Sequence, residues 1–337
     1  MKKEHNIQLT SAELFSLWST YIADSMAICV FTYLLHKVKD TEITPIIEHG
    51  MKISNEHISI IEGLFKEEGI PIPIGFTVDD VNPNAPRLFQ DGFFLNYMKH
   101  MAKGGLLTYS MILPNIVRKD IREFFSSALT STNVLYNETT SLLASKGLEI
   151  RPPYIPYPKE VEFVKKQSFL AGWFGEQRPL TAAEVMHFYA NIQTNKLGEA
   201  LTIGFAQVAK SKEVTEYFQR GKEIAKKHRE IFANYLSDYD LPAPMTWDHD
   251  VENVTESPFS DKLMMFHIGI LSSNGMGNYG LAISQSQRRD ITTAYTRLSA
   301  EIGKYAEDGL NIMIDNEWLE KVPHAADRGE LVKHKRV

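Results

Sequence analysis

The chain has 337 residues, 43% of them hydrophobic and 23% charged, and a formal net charge of −6. That length holds two domains of ordinary size, and the acidic balance offers no basic field to nucleic acid or an anionic membrane. A single cysteine, Cys29, excludes an intrachain disulfide and suits a reducing compartment.

Met1 to His5 carries the charge of a signal peptide, but no apolar core follows it directly. The first element opens at Leu9-Thr10-Ser11-Ala12-Glu13, where Thr10 and Glu13 stand at capping-box spacing and predict a helix over 11–38. Its most apolar run, Met26 to Leu35, is too short to span a bilayer and reads as a buried helix segment. A second helix is expected over 41–68, with a seam of apolar or small residues at 46, 50, 53, 60 and 64. His57 falls on that seam, between Ile53 and Ile60.

An extended segment follows, from Ile70-Pro71-Ile72-Pro73-Ile74-Gly75-Phe76 to Pro86. Helix–helix connections usually take about two to eight residues. This one, at roughly 3.3 Å per residue, can reach about 50 Å, whereas a helix of about 27 residues is about 40 Å long. It therefore has the reach to travel the length of a bundle. Third and fourth helices follow over 87–112 and 115–146. The stretch from Arg151 through Pro158 is proline-rich and stiff, and its aromatic residues are expected to pack against the helices.

From Leu180 the chain repeats itself. Leu180-Thr181-Ala182-Ala183-Glu184 matches the opening motif at an offset of 180 − 9 = 171, and Gly50/Gly221, His57/His228, Pro71/Pro242 and Pro73/Pro244 keep that offset. Arg118-Lys119-Asp120-Ile121 matches Arg288-Arg289-Asp290-Ile291 at 288 − 118 = 170. Further helices are thus expected over 182–209, 212–238, 259–284 and 287–319. The fold class is all-α: two tandem four-helix bundles, each with a long crossover between its second and third helices, which is ferritin-like connectivity. The expected division is a bundle over 7–150, a proline and aromatic linker over 151–179, a second bundle over 180–325 and a polar tail over 326–337.

The doubled Leu-Thr-x-Ala-Glu opening, the shared Gly and His of the second helix and the Pro-x-Pro crossover resemble a family of unknown function from endospore-forming bacteria. The resemblance covers about residues 7–325. It implies ferritin-like four-helix domains, often in tandem, and some members carry the description "putative spore coat protein". It brings no catalytic residues with it.

A carboxylate di-iron bundle needs a Glu on each of two helices and Glu-x-x-His on each of the others. Ser54 and Ala225 stand where those glutamates would precede His57 and His228. The fourth helices offer Glu123, Glu138, Glu301, Glu307 and Asp308 but no histidine, Asp91 and Asp261 lie near helix ends, and Asp24 is matched by Asn195. That ligand set is missing from both copies. His57 and His228 read as buried neutral histidines bonded to another helix, with ligation of iron, manganese or zinc as the alternative.

Gly275-Met276-Gly277-Asn278-Tyr279-Gly280 matches G-x-G-x-x-G, but it lies in a helical stretch with no preceding strand and reads as a packing feature. Trp18, Phe31, Phe65, Phe94 and Phe125 are expected in the first core. No catalytic residue or cofactor is expected. The leading function is a non-enzymatic structural or interaction protein that binds protein partners or itself, cytoplasmic and, through the resemblance, spore-associated. The alternatives are a metal-binding or metal-dependent oxidase-like protein using His57 and His228, and a carrier of hydrophobic small molecules.

Overall fold

A computed structural model describes residues 7–174, 177–244 and 247–329. Residues 330–337 of the expected polar tail lie outside the described residues. Among those described, the regular structure is helical: α1 Ser11–Lys37, α2 Thr44–Glu68, α3 Asp91–Ile112, α4 Lys119–Ser145, α5 Ala182–Val208, α6 Lys212–Ser237, α7 Asp261–Gln285 and α8 Arg289–Asp315. α1 is long and apolar enough to cross a membrane, but 72% of its most apolar stretch is buried among the other elements. Such burial is what a core helix shows.

The repeated motifs tie helix ends together. Thr10 caps α1, and the Glu13 carboxylate accepts from the Thr10 amide at 2.8 Å. The same carboxylate reaches across the bundle to the amides of Val117 at 3.2 Å and Arg118 at 2.8 Å, just before α4. Glu184 repeats this, accepting from the amides of Thr181, Gln287 and Arg288. Amides orphaned at two helix starts are thus satisfied by one buried carboxylate.

At the opposite end Asp91 accepts from the amides of Lys39 at 3.2 Å and Asp40 at 3.0 Å, and Asp261 does so from Lys210 and Ser211. α3 therefore begins at the α1–α2 turn, whereas α2 ends beside α4, where Arg118 meets Glu68 at 2.6 Å. The segment between them runs the whole length of the half, as its reach predicted. Gly69, at φ 67°, releases the chain from α2. Gly75, at φ 61°, presses so closely on Ser25 of α1 that a Cβ would collide with its hydroxyl.

In the second half α5 packs on α6 and α7, and α8 closes against α6 and α7; the first half uses the same neighbours, although α1 and α3 barely touch. The two crossovers pair with each other. Val81 bridges Phe259 and Phe89 bridges Val251, all antiparallel, and the two bridges exchange under the 170-residue offset. Their hydrogen bonds exchange too: Asn82 N donates to Pro258 O at 2.8 Å and Glu252 N to Leu88 O at 2.9 Å. Tyr97 of α3 meets its own counterpart, His267 of α7, at 3.2 Å. This reciprocity is that of an isologous contact. One hydrophobic cluster spans both halves, with a separate cluster towards the outer end of each.

Two expectations need correction. Most linker aromatics do not pack: Tyr157 is 93% and Phe163 82% exposed, whereas Phe169 is half-buried with the Arg178 guanidinium 4.2 Å from its ring centre. Proline gives that stretch few amides with which to anchor itself, and it stays extended. On α2 the inward stripe continues through Ile61 and Phe65, four residues apart, and leaves Ile60 exposed. His57 therefore sits between Ile53 and Ile61.

Candidate functional site: an interior cavity of the first half

Because α1 and α3 stand apart, the interior of the first half opens into a half-open cavity of about 730 Å³. Its walls come from all four helices of that half, from Gly75 and Phe76 of the first crossover, from α7 with Leu197 of α5 and Met313 of α8, and from the strap after α8, where Trp318, Leu319, Glu320 and Val322 face it. The strap is held by Glu320, which accepts from the amides of Ile74 at 3.1 Å and Gly75 at 2.6 Å. The surroundings are mainly apolar. The exposed side chains of Phe15, Met111, Leu319 and Val322 mark the side that meets solvent.

One polar cluster of the interior centres on Asp24. Ser54 donates to Asp24 Oδ1 at 2.8 Å, and His57 Nδ1 lies 2.9 Å from Oδ2. The His57 ring is held edge-on by Tyr109 and Phe124, 5.9 and 5.3 Å between centroids. Burial, with Asp24 nearby, pushes the Tyr109 phenol well above its ordinary value, so it stays protonated. Burial takes the His267 imidazole down to about 4, and burial together with the Lys103 charge takes His100 to about 3. Both are neutral at physiological pH, and the His267 Nδ1 atom and the Trp18 indole nitrogen have no hydrogen-bond partner.

The second half contains the same space almost closed. A void of about 70 Å³ lies there, and all its lining residues except Ile268 are counterparts of cavity residues. Tyr305 occupies the place of Leu135 and stacks on Tyr217 at 4.2 Å, while Ile302 replaces Thr132. Asn195 replaces Asp24 and is satisfied locally, donating to Asn191 O at 2.8 Å and to the Tyr279 hydroxyl at 2.9 Å. Ala225 replaces Ser54, so the carboxylate and its hydroxyl donor disappear together.

The two candidate histidines have different settings. His57 borders the Asp24 network. His228 is fully buried, with Nδ1 3.1 Å from the Tyr279 hydroxyl and Nε2 3.0 Å from Glu301. Burial lowers its basicity, against the pull of Glu301. Each histidine thus has one carboxylate partner, and among the described residues no three His, Cys, Asp or Glu side chains form a group that could hold a metal ion.

The other acids pair elsewhere: Glu138 with His49 at 2.7 Å, Asp308 with Arg220 at 2.7 Å, and Glu301 also with Lys227 at 2.8 Å. Cys29 donates to Thr77 O, and burial pushes its thiol up to about 12, so it is inert. The G-x-G-x-x-G string lies inside α7 as ordinary helix. Of the expected core aromatics, Phe31, Phe65, Phe94 and Phe125 are buried, whereas Trp18 is only partly buried and lines the cavity. Sequence reasoning noticed Asn195 against Asp24 but not the paired changes at 132 and 135, which were the signal for a hollow copy and a filled one.

The model of a family described as "Protein of unknown function (DUF3231)" matches this chain twice, over residues 1–161 and 168–331. The chain belongs to that family. It is 26% identical over 147 residues to the uncharacterized protein YvdQ of Bacillus subtilis, covering 42% of this chain and 85% of YvdQ. A solved structure described as a "putative spore coat protein" from Bacillus halodurans is 20% identical, with a TM-score of 0.41, covering 45% of this chain and 98% of the other. The family's double match coincides with the doubled motifs.

Proposed function

We propose that this DUF3231 protein is a non-enzymatic binding protein in which two tandem ferritin-like modules, over 7–150 and 180–325, have divided their roles. The first binds an apolar small molecule, and the second serves as a packed scaffold. The observation that carries this reading is the contrast between a cavity of about 730 Å³ and a counterpart of about 70 Å³. Ligand sites of about 300–1,000 Å³ are mostly apolar with a few placed polar groups, and the first interior has that character. The full-length crossovers and the helix neighbours support ferritin-like modules.

The test uses a neutral fluorescent probe, N-phenyl-1-naphthylamine, whose emission rises in an apolar site. Wild-type protein is expected to bind it at one site. Thr132→Ile combined with Leu135→Tyr, which installs the second module's residues in the first, is expected to abolish that binding and keep the helical spectrum. Binding unchanged by that double variant would reject the cavity as the site.

A further role in self-association is favoured by the exposed linker aromatics, Tyr157, Phe163 and Phe174. Sedimentation velocity over a wide concentration range should show oligomers that Tyr157→Ser with Phe163→Ser weakens; a monomer throughout would end this reading. Residence in the cytoplasm and association with a spore rest on composition and on the family resemblance.

A further inference from the structure

We infer that the molecule taken up by the first module is a long-chain amine, whose cationic end sits at Asp24 and whose alkyl chain lies between α1 and α3. This rests on the cavity being a ligand site and adds the chemistry of the ligand.

Asp24 lines the cavity while being only 8% exposed. Among the described residues its hydrogen bonds come from Ser54 and His57, and no lysine or arginine pairs with it. Each carboxylate oxygen accepts from more than one donor when ionised, so one acceptor position on each remains for a ligand. Two helices hold the group in place. A primary ammonium supplies a charge and three donors to those open acceptor positions. Phe31, Ile53, Met101, Leu135 and Leu271 give the wall an apolar stretch that suits a hydrocarbon chain.

The internal repeat supplies an independent control. Where the interior is filled, the position of Asp24 is Asn195 and that of Ser54 is Ala225. Carboxylate and cavity thus occur together in one copy and are both missing from the other. A fatty acid would bring a second carboxylate towards Asp24, and two like charges in one desolvated site disfavour each other. Lys262, a lysine on the wall, already donates to Gly75 O at 2.8 Å.

The experiment is competition against the neutral naphthylamine probe on the full chain, using dodecylamine, dodecanol and dodecanoate below their micelle concentrations. Dodecylamine is expected to displace the probe at a concentration lower than dodecanoate by on the order of ten-fold or more, the scale of a hydrogen bond to a charged group. Asp24→Asn, a residue the second module already carries at that position, is expected to erase the preference of the site for dodecylamine over dodecanol and dodecanoate. Ser54→Ala is expected to weaken amine binding by a smaller factor and provides a second reading should the first variant fold poorly. Dodecanoate competing as well as dodecylamine, or a preference that survives both substitutions, would overturn the amine assignment while leaving the cavity as a binding site. Failure of the probe to bind wild-type protein would overturn both.

Discussion

Glu184 is 1% exposed, and its carboxylate takes Arg178 at 2.8 Å together with three backbone amides from two helix starts. Burial works against its charge, but Arg178 and the amides prevail and hold it at about 2, against an ordinary 4.5. A carboxylate depressed in the folded state contributes stability that is fully present above the unfolded value. That contribution is lost as pH falls through the folded one. Between pH 4.5 and 2 the protein should lose about 3 kcal/mol through this group. Urea titrations of wild type and Glu184→Gln at several pH values check this: the gap between them should narrow across that window, and a constant gap would refute the assignment. The Thr181–Glu184 box is legible in four residues; the amides of Gln287 and Arg288 are not, because only the fold brings them within reach.

Glycine shows the same divide. A Cβ on Gly221 would run into the hydroxyl of Tyr305 and lie 2.8 Å from its Cζ, and that ring is locked by its stack on Tyr217. At Gly50 the first obstacle is the Met98 terminal methyl at 2.7 Å, the far end of a flexible chain. Gly221→Ala should therefore cost about 1–3 kcal/mol, as overpacking does, and Gly50→Ala clearly less, measured by urea denaturation. Equal costs would mean that the second core is no tighter than the first.

At the scale of elements, the crossover was the most readable feature, because its length and prolines leave few other uses for it. Its partner was not readable: each crossover pairs with the other, across about 170 residues of sequence. The strap after α8 is likewise a long-range element, fastened by one carboxylate to two amides of the first crossover. Glu320→Ala should raise hydrogen exchange at Ile74 and Gly75 selectively, leaving the α2 and α3 amides protected. Exchange that does not change would mean the strap is seated by Trp318 and Leu319 instead.

For the whole molecule, a single hydrophobic cluster crosses from one half to the other through α3, α7 and both crossovers. Modules that share a core lose it together. Calorimetry should show one transition whose calorimetric and van't Hoff enthalpies agree, and two resolved transitions would show that each half keeps a self-sufficient core. The proposed division of roles makes a matching forecast: a ligand of the first module should raise the temperature of that one transition, since whatever binds the folded state stabilises all that unfolds with it.

The sequence by itself determined the helices, their caps, the doubling and the length of each crossover, because these depend on spacing within a few residues or on an offset that can be counted. It also contained the exchange of Asp24 for Asn195 and of Leu135 for Tyr305, but not their meaning. Whether such positions enclose space is set by how far α1 stands from α3 and by what α7 and the strap add from the far end of the chain. A cavity is a difference between large packing terms contributed by residues remote in sequence, and only the tertiary structure brings those residues together.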